Sequence, residues 1–246
     1  CRLAPLSEVT SSITLFADFA VNTALGYAEN HYEHMYGKPL GAFTGNEQHL
    51  TVVGMGKMGG YELNVSSDID LIFVFPEAGD TNGKRPKSNV EFFTKVGQKT
   101  ISLLNDITAE GQVFRVDMRL RPDGDSGALV LSEAAFERYL LTQGREWERY
   151  AWIKGRIISP GINDITSLVR PFVYRKYLDF DAYEGMRSLH SQIRQEVSKK
   201  GMQDNIKLGA GGIREVEFIA QVFQLIRGGQ VRQLQRKDTQ GTLALL

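Results

Sequence analysis

Three aspartates and a glycine-rich turn carry the chemistry that can be read from this 246-residue sequence. Asp68 and Asp70 flank Ile69 and open the apolar run Leu71-Ile-Phe-Val-Phe75. Side chains at i and i+2 of an extended chain point the same way, so both carboxylates face one side at the mouth of a strand over 70–75. Carboxylates so placed can bind and bridge Mg²⁺ ions, which hold a nucleotide's phosphates and stabilise charge developing at phosphorus. Upstream, the apolar run Leu50 to Val53 meets Gly54-Met-Gly56-Lys57-Met-Gly59-Gly60. Its glycines let backbone N–H groups approach a phosphate closely, and the short helix expected after them adds its N-terminal dipole.

Simpler explanations compete with this one. Gly54, Gly56 and Gly59 match the dinucleotide pattern G-x-G-x-x-G, but Gly60 and the short interval to Asp68 leave no room for a long crossover helix. Asn64 to Ser67 is turn-like, and no acidic residue closes a second strand at the expected distance. Lys57 also lacks the spacing of a P-loop lysine. A bare Asp-x-Asp is often a solvated turn or a helix cap. Here it leads into a run apolar on both faces, as in a central strand, which favours a site.

A second stretch supplies the third carboxylate. From Phe114 to Arg121 the alternation is strict, with Phe114, Val116, Met118 and Leu120 on one face and Arg115, Asp117, Arg119 and Arg121 on the other. A strand across 114–121 therefore has an apolar face and a chemical face. Asp117 would join Asp68 and Asp70, and the arginines would help keep three neighbouring carboxylates ionised. Arg119 and Arg121 can hold phosphate oxygens bidentately. The alternative is a surface strand of mixed charge.

These residues carry a resemblance. Gly56-Lys57 followed by Asp68-Ile69-Asp70 resembles the signature of the polymerase-β-type nucleotidyltransferase superfamily, although Lys57 stands where the general pattern has Gly or Ser. The segment from Gly56 to Leu71, with Phe114-Arg-Val-Asp-Met-Arg-Leu-Arg-Pro122, Gly144-Arg-Glu-Trp-Glu-Arg-Tyr-Ala151 and Ile206 to Phe218, resembles the bacterial glutamine synthetase adenylyltransferase/adenylyl-removing enzymes over nearly the whole chain. Asn64-Val-Ser-Ser67 and Gly212-Ile-Arg-Glu-Val-Glu217 are similar to the N-terminal, AMP-removing half of that family. The resemblance implies an α+β fold, a polymerase-β-like nucleotidyltransferase core with a mixed β-sheet followed by an all-α helical domain. It implies phosphorolytic removal of AMP from a glutamine synthetase tyrosine, giving ADP, with a PII signalling protein as regulator. The candidate site is then Asp68, Asp70 and Asp117 as catalytic residues and ligands of two Mg²⁺ ions. Gly56, Lys57, Gly59, Gly60, Ser67, Arg119 and Arg121 would lie on the phosphates of ATP or ADP. The same carboxylates serve AMP attachment equally, so direction does not follow from them. Attachment of AMP to glutamine synthetase or a small molecule, and a non-catalytic module binding a nucleotide or a PII protein, stay open beside this reading.

The remaining elements must position that site. A helix over 7–36 is expected, with Ser7 as cap and Val9, Ile13, Phe16, Ala20, Ala24 and Tyr27 as its core stripe. His31, Glu33 and His34 at its end are metal-ligand types, more simply read as a solvated helix end. The polar stretch Gly79 to Asn89 reads as an exposed loop. Ser88 and Glu91 form a capping box for a helix of about 15 residues burying Phe93, Val96, Thr100, Leu103 and Leu104. Ala128 to Leu131 reads as a short return strand. Ser132 caps a helix to Leu141, and Gly144 to Ile157 reads as another, with Lys154 on its apolar stripe and snorkelling outward.

Ser159-Pro-Gly161 is the expected boundary between a catalytic domain over 1–160 and a helical domain over 161–246, the latter helical over 164–200 and 212–228. In the second of these helices Ile213, Val216, Ala220 and Phe223 should face the core, with Arg214, Glu215 and Glu217 in buried or interdomain ion pairs, a role facing the active site being the alternative. Formal charge is zero, 29 basic against 29 acidic side chains, which argues against broad attraction to nucleic acid or membrane. Cys1 is the single cysteine, which excludes a disulfide framework and suits a reducing cytoplasm. There is no apolar run of membrane-spanning length and no signal-peptide pattern, and the sequence reads as part of a longer protein.

Overall fold

A computed structural model describes residues 4–159, 165–175, 184, 191, 205–207, 209 and 211–246. Of the expected helix over 164–200, the start is described as α6 (Ile165–Val173), and the Ser159-Pro-Gly161 boundary lies partly outside the described residues. The chain divides into two compact units, Cys1–Gln143 with Gly155–Leu168, and Gly144–Lys154 with Val169–Leu246.

The first unit is a mixed sheet with helices. In chain order it holds α1 (Leu6–Tyr36), β1 (Thr51–Gly54), the single turn α2 (Gly56–Gly59), β2 (Ile69–Phe75), α3 (Asn89–Asn105), β3 (Val116–Asp117), β4 (Val130–Ser132) and α4 (Glu133–Thr142). After α5 (Glu146–Trp152), which belongs to the second unit, β5 (Arg156–Ile157) completes the sheet. The strand order is β3-β2-β1-β5, with β4 also on β2. β1 runs antiparallel to β2 and β5, whereas β3 and β4 pair parallel with the two ends of β2. β2 is therefore central, and its near-complete burial is what the doubly apolar run requires.

The alternation of β2 sorts its two faces. Ile69, Leu71, Phe73 and Phe75 join one core with Ala17, Val21 and Leu25 of α1 and Phe92, Phe93, Val96 and Leu104 of α3. By the period of two, Asp70 shares the opposite face with Ile72 and Val74. At about 25 cal/mol per Å² of apolar surface, each such core side chain contributes roughly 1.5–3 kcal/mol. The expected capping box holds α3: the Ser88 hydroxyl accepts from the Glu91 N–H while the Glu91 carboxylate accepts from the Ser88 N–H. Ser132 caps α4 by accepting from the Ala135 N–H.

Several expectations are corrected. The first helix starts ahead of Ser7, with Pro5 at its N-cap and no side-chain cap. Its buried stripe is Thr14, Ala17, Val21, Ala24, Leu25 and Ala28, so the expected Ala24 is kept and the expected Ile13 and Ala20 pack beside it, while the centre of the stripe lies one position round. Small residues let α1 lie close on the core, and the bulky Phe16 and Tyr27 stay largely exposed. Leu103 of α3 is also exposed. The stretch 79–89 is more than a solvated loop: Thr81 is buried and bridges to Pro39, and Asp80 bridges to Ser88. The strand expected over 114–121 has a ladder only at Val116–Asp117, because the chain turns after Met118. The helix expected over 144–157 stops at Trp152, and Arg156–Ile157 pairs with β1 instead.

The described part of the second unit is helical. Lys154 does not snorkel outward: it is buried, with Nζ 3.0 Å from Glu217 Oε1 and 2.9 Å from Thr239 Oγ1. In α7 (Ile213–Arg227) the buried residues are Ala220, Gln221, Gln224 and Leu225, while Ile213, Val216 and Phe223 stay partly exposed. Gln224 is buried because its amide donates to the carbonyls of Leu234 and Arg236, at 2.6 and 2.7 Å.

Candidate active site

Two backbone devices set the carboxylates beside one another. The parallel pairing of β2 and β3 places Asp70 opposite Asp117 and Ile69 opposite Val116, so both carboxylates leave the sheet on one face. The register is held at its ends, where Ile69 N–H donates to Arg115 O at 2.9 Å and Asn105 Oδ1 accepts from Val116 N–H at 3.1 Å. The glycine turn closes over them from β1. Met55 N–H donates to Asp70 O at 2.9 Å, and Gly56 adopts φ +54°. A Cβ at Gly56 would stand 3.3 Å from Asp70 Oδ2, so the turn's backbone lies directly against this carboxylate. The first-turn N–H groups of α2 have no carbonyl ahead of them in the helix to bond.

Arginines balance the outer two aspartates. Arg115 Nε is hydrogen-bonded to Asp68 Oδ1, and its Nη2 donates to Ser66 O at 2.8 Å. Asp117 accepts from both the backbone N–H and the guanidinium of Arg119, and those bonds hold its carboxyl below the usual carboxylate range. The same pair raises the pKa of Arg119, to which Asp70 adds a smaller effect. The Arg121 guanidinium, largely buried, donates to the carbonyls of Met118 at 2.8 Å and Asp125 at 3.1 Å. It holds the turn over 118–127 and, because the ladder ends at Asp117, no longer shares a strand face with Arg119.

Lys57 and Gly59 lie in α2 and Gly60 ends it, while Ser67 Oγ accepts from Asn64 N–H at 3.4 Å in the turn before Asp68. Among the described residues, the group whose donor atoms all lie within 4.8 Å of one another is Glu33, Glu47 and His49; the expected ligands Asp68, Asp70 and Asp117 are not drawn together to that extent. One support of the site escapes a local reading. Arg156 of β5 grips both oxygens of Asp18 in α1, at 2.8 and 2.9 Å, and donates to Met58 O in the glycine turn at 3.0 Å. Arg115, by contrast, was visible in the alternation, which sets it on the same face as Asp117. The structure thus brings Asp70 and Asp117 onto one sheet face with the Gly56 turn against Asp70, while Asp68 is paired with Arg115 just ahead of β2.

Comparison with known proteins identifies the lineage. Residues 1–167 match the family described as Glutamate-ammonia ligase adenylyltransferase. The chain belongs to this family. Among relatives of the Glutamate-ammonia ligase adenylyltransferase family it is 74% identical, over 245 residues and 100% of its length, to the bifunctional glutamine synthetase adenylyltransferase/adenylyl-removing enzyme of Neisseria meningitidis serogroup B. It is 63% identical over 244 residues to the protein of that name from Chromobacterium violaceum, covering 99% of this chain, and 52% identical over 249 residues to that from Pseudomonas putida, covering 100%. It spans about a quarter of the length of these relatives, 27%, 27% and 26% respectively. Residues 187–244 also match the GlnD PII-uridylyltransferase family. The mixed sheet with its helices accords with the α+β nucleotidyltransferase core and helical part expected for this family. Among the described residues no helix is long and apolar enough to cross a membrane.

Proposed function

We propose that this chain carries the nucleotidyltransferase site of a longer bacterial enzyme, and that the site removes AMP from an adenylylated tyrosine of glutamine synthetase by phosphorolysis, releasing ADP. The observation that carries the reading is the register pairing of Asp70 with Asp117 beneath the Gly56 turn. Glutamine synthetase enters through the name its relatives bear, and direction through the likeness of Asn64 to Ser67 and Gly212 to Glu217 to the AMP-removing half. On this reading residues 1–160 form the catalytic domain and 161–246 the helical one, the setting is the cytoplasm, and a PII protein is the regulator. The match of residues 187–244 to a PII-uridylyltransferase family supports that regulatory link.

Asp68, Asp70 and Asp117 would hold Mg²⁺. The metal would supply Lewis-acid stabilisation of charge at the α-phosphorus. The protein's own part is positional. Gly56, Lys57, Gly59, Gly60 and Ser67 present backbone and side-chain donors to the phosphates, and Arg119 adds an exposed guanidinium beside Asp117. Arg121 enters through the turn it braces. Arg115 holds Asp68 until a cation takes its place.

The test incubates adenylylated and unmodified glutamine synthetase with the chain, Mg²⁺, ATP and phosphate, and weighs the subunits. Phosphate-dependent loss of AMP with ADP formed is the expected result, and Asp70→Asn should abolish it without unfolding the chain. Gain of AMP on unmodified subunits would reverse the direction. Turnover that survives Asp70→Asn would remove the site altogether.

A further inference from the structure

The end of α1 and the segment leading into β1 meet in a polar group that the aspartate site does not use. Glu29 and Glu33, one turn apart, fall on one side of α1. The chain then doubles back, and the bridge between Leu40 and Glu47 brings Glu47 and His49 alongside. One donor atom each from Glu33, Glu47 and His49 lies within 4.8 Å of the others. His49 Nε2 stands 4.0 Å from Glu47 Oε1, too far for a hydrogen bond.

The other imidazole nitrogen is held from behind. Nδ1 lies 3.5 Å from Glu29 Oε2, and Glu29 Oε1 is fixed by accepting from Leu50 N–H at 2.9 Å. A carboxylate behind an imidazole is the arrangement that orients histidine ligands in metal centres and raises their basicity. Three carboxylates, Glu29, Glu33 and Glu47, gather around this imidazole, with Lys38 Nζ 2.6 Å from Glu47 Oε2.

We propose that Glu33, Glu47 and His49 bind one divalent cation of the zinc class, with Glu29 orienting the imidazole. Mixed nitrogen and oxygen donors favour such an ion over Mg²⁺, which keeps to oxygen. Tetrahedral ligands about 2.0–2.1 Å from zinc stand roughly 3.3 Å apart, so the donors must close by about an ångström or somewhat more, within reach of rotamer changes in part-exposed side chains. The ion would pin the end of α1 to the segment entering β1, and so to the strand that feeds the glycine turn. The sequence singles out His31, Glu33 and His34 as ligand types; the fold keeps Glu33 and replaces both histidines by partners from beyond the helix.

The test titrates Zn²⁺ into the metal-stripped chain by calorimetry, in millimolar Mg²⁺, and follows the thermal midpoint. One zinc per chain, bound at micromolar affinity or tighter and raising the midpoint, is the expected result. His49→Ala and Glu33→Gln should each weaken binding at least tenfold, and Glu29→Gln by about 10–100-fold. A His31→Ala/His34→Ala double variant should bind as the parent does. Glu33→Gln is nearly isosteric and serves as the reading if His49→Ala loses its native circular dichroism. Absence of saturable zinc uptake would leave only an ion-pair network and overturn the proposal, as would zinc that survives the Glu33 and His49 changes or disappears with the His31/His34 pair.

Discussion

The brace between Arg156 and Asp18 makes a quantitative prediction. Both side chains are largely buried, 13% and 16% exposed, and the guanidinium also lies 4.0 Å from the Tyr61 ring centroid. Arg156→Ala removes two charge-assisted hydrogen bonds of about 1.5–3 kcal/mol each and strands the Asp18 carboxylate. Breaking a fully buried pair costs roughly 3–5 kcal/mol, and residual exposure sets this one near the lower end, at about 3 kcal/mol. Asp18→Asn keeps an acceptor but leaves the guanidinium uncompensated, for about 2 kcal/mol. The double variant should lose about 3 kcal/mol rather than 5, a coupling near 2 kcal/mol. Urea unfolding followed by far-UV circular dichroism measures all three. With a slope of about 2–3 kcal/mol/M, the Arg156→Ala midpoint falls by roughly 1–1.5 M at unchanged slope. Additive losses, with coupling under about 0.5 kcal/mol, would refute the brace.

Two further predictions concern the turn and a loop anchor. Gly56→Ala places a Cβ 3.3 Å from Asp70 Oδ2 at φ +54°, so about 1–2 kcal/mol of stability should be lost. Nucleotide turnover should fall further than that loss accounts for, and a variant with full turnover would show that the turn's approach to Asp70 is dispensable. Glu77 accepts from the Thr44 hydroxyl at 2.7 Å and from the N–H groups of Phe43 and Thr44, and chiefly the hydroxyl bond lowers its pKa. A depressed folded-state value stabilises the protein above the ordinary glutamate pKa, and that contribution disappears as pH falls through the depressed one. The urea midpoint of the parent should therefore drop more steeply below about pH 4.5 than that of Glu77→Gln; parallel curves would exclude the effect.

What the sequence made legible was local. Alternation and apolar runs marked β1 and β2, the Ser88/Glu91 box and the Ser132 cap marked where α3 and α4 begin, and the glycine cluster marked the turn now seen against Asp70. The face of 114–121 that carries Asp117 was also legible, since a period of two needs no tertiary information, whereas its pairing in register with Asp70 was not, because strand pairing is tertiary. The ladder beyond Asp117 was not, because Arg121 folds back onto backbone carbonyls that no pattern of alternation encodes. Nor was the partner of each long side chain. Asp18 meets Arg156, and Lys154 is kept inside by Glu217, across stretches of chain over which periodicity says nothing. The α1 stripe was legible at Ile13, Ala20 and Ala24 but not at its bulky members: hydrophobicity favoured Phe16 and Tyr27, whereas close packing selected the alanines beside them.

The pairing of β2 with β3 divides the chain into stretches that tolerate a change of length and stretches that do not. Asn105 at the end of α3 and Phe114, whose N–H donates to Leu104 O at 2.9 Å, fix where the chain leaves the helix and rejoins the core. Between them Ile107 and Val113 are exposed, so residues added there extend into solvent and leave the downstream phase alone. A single residue added between Phe114 and Asp117 would instead rotate every later side chain of the strand by half a turn, burying the carboxylate and exposing its neighbour. Descendants of this sequence are thus free to lengthen one side of Phe114 and are held to the letter on the other.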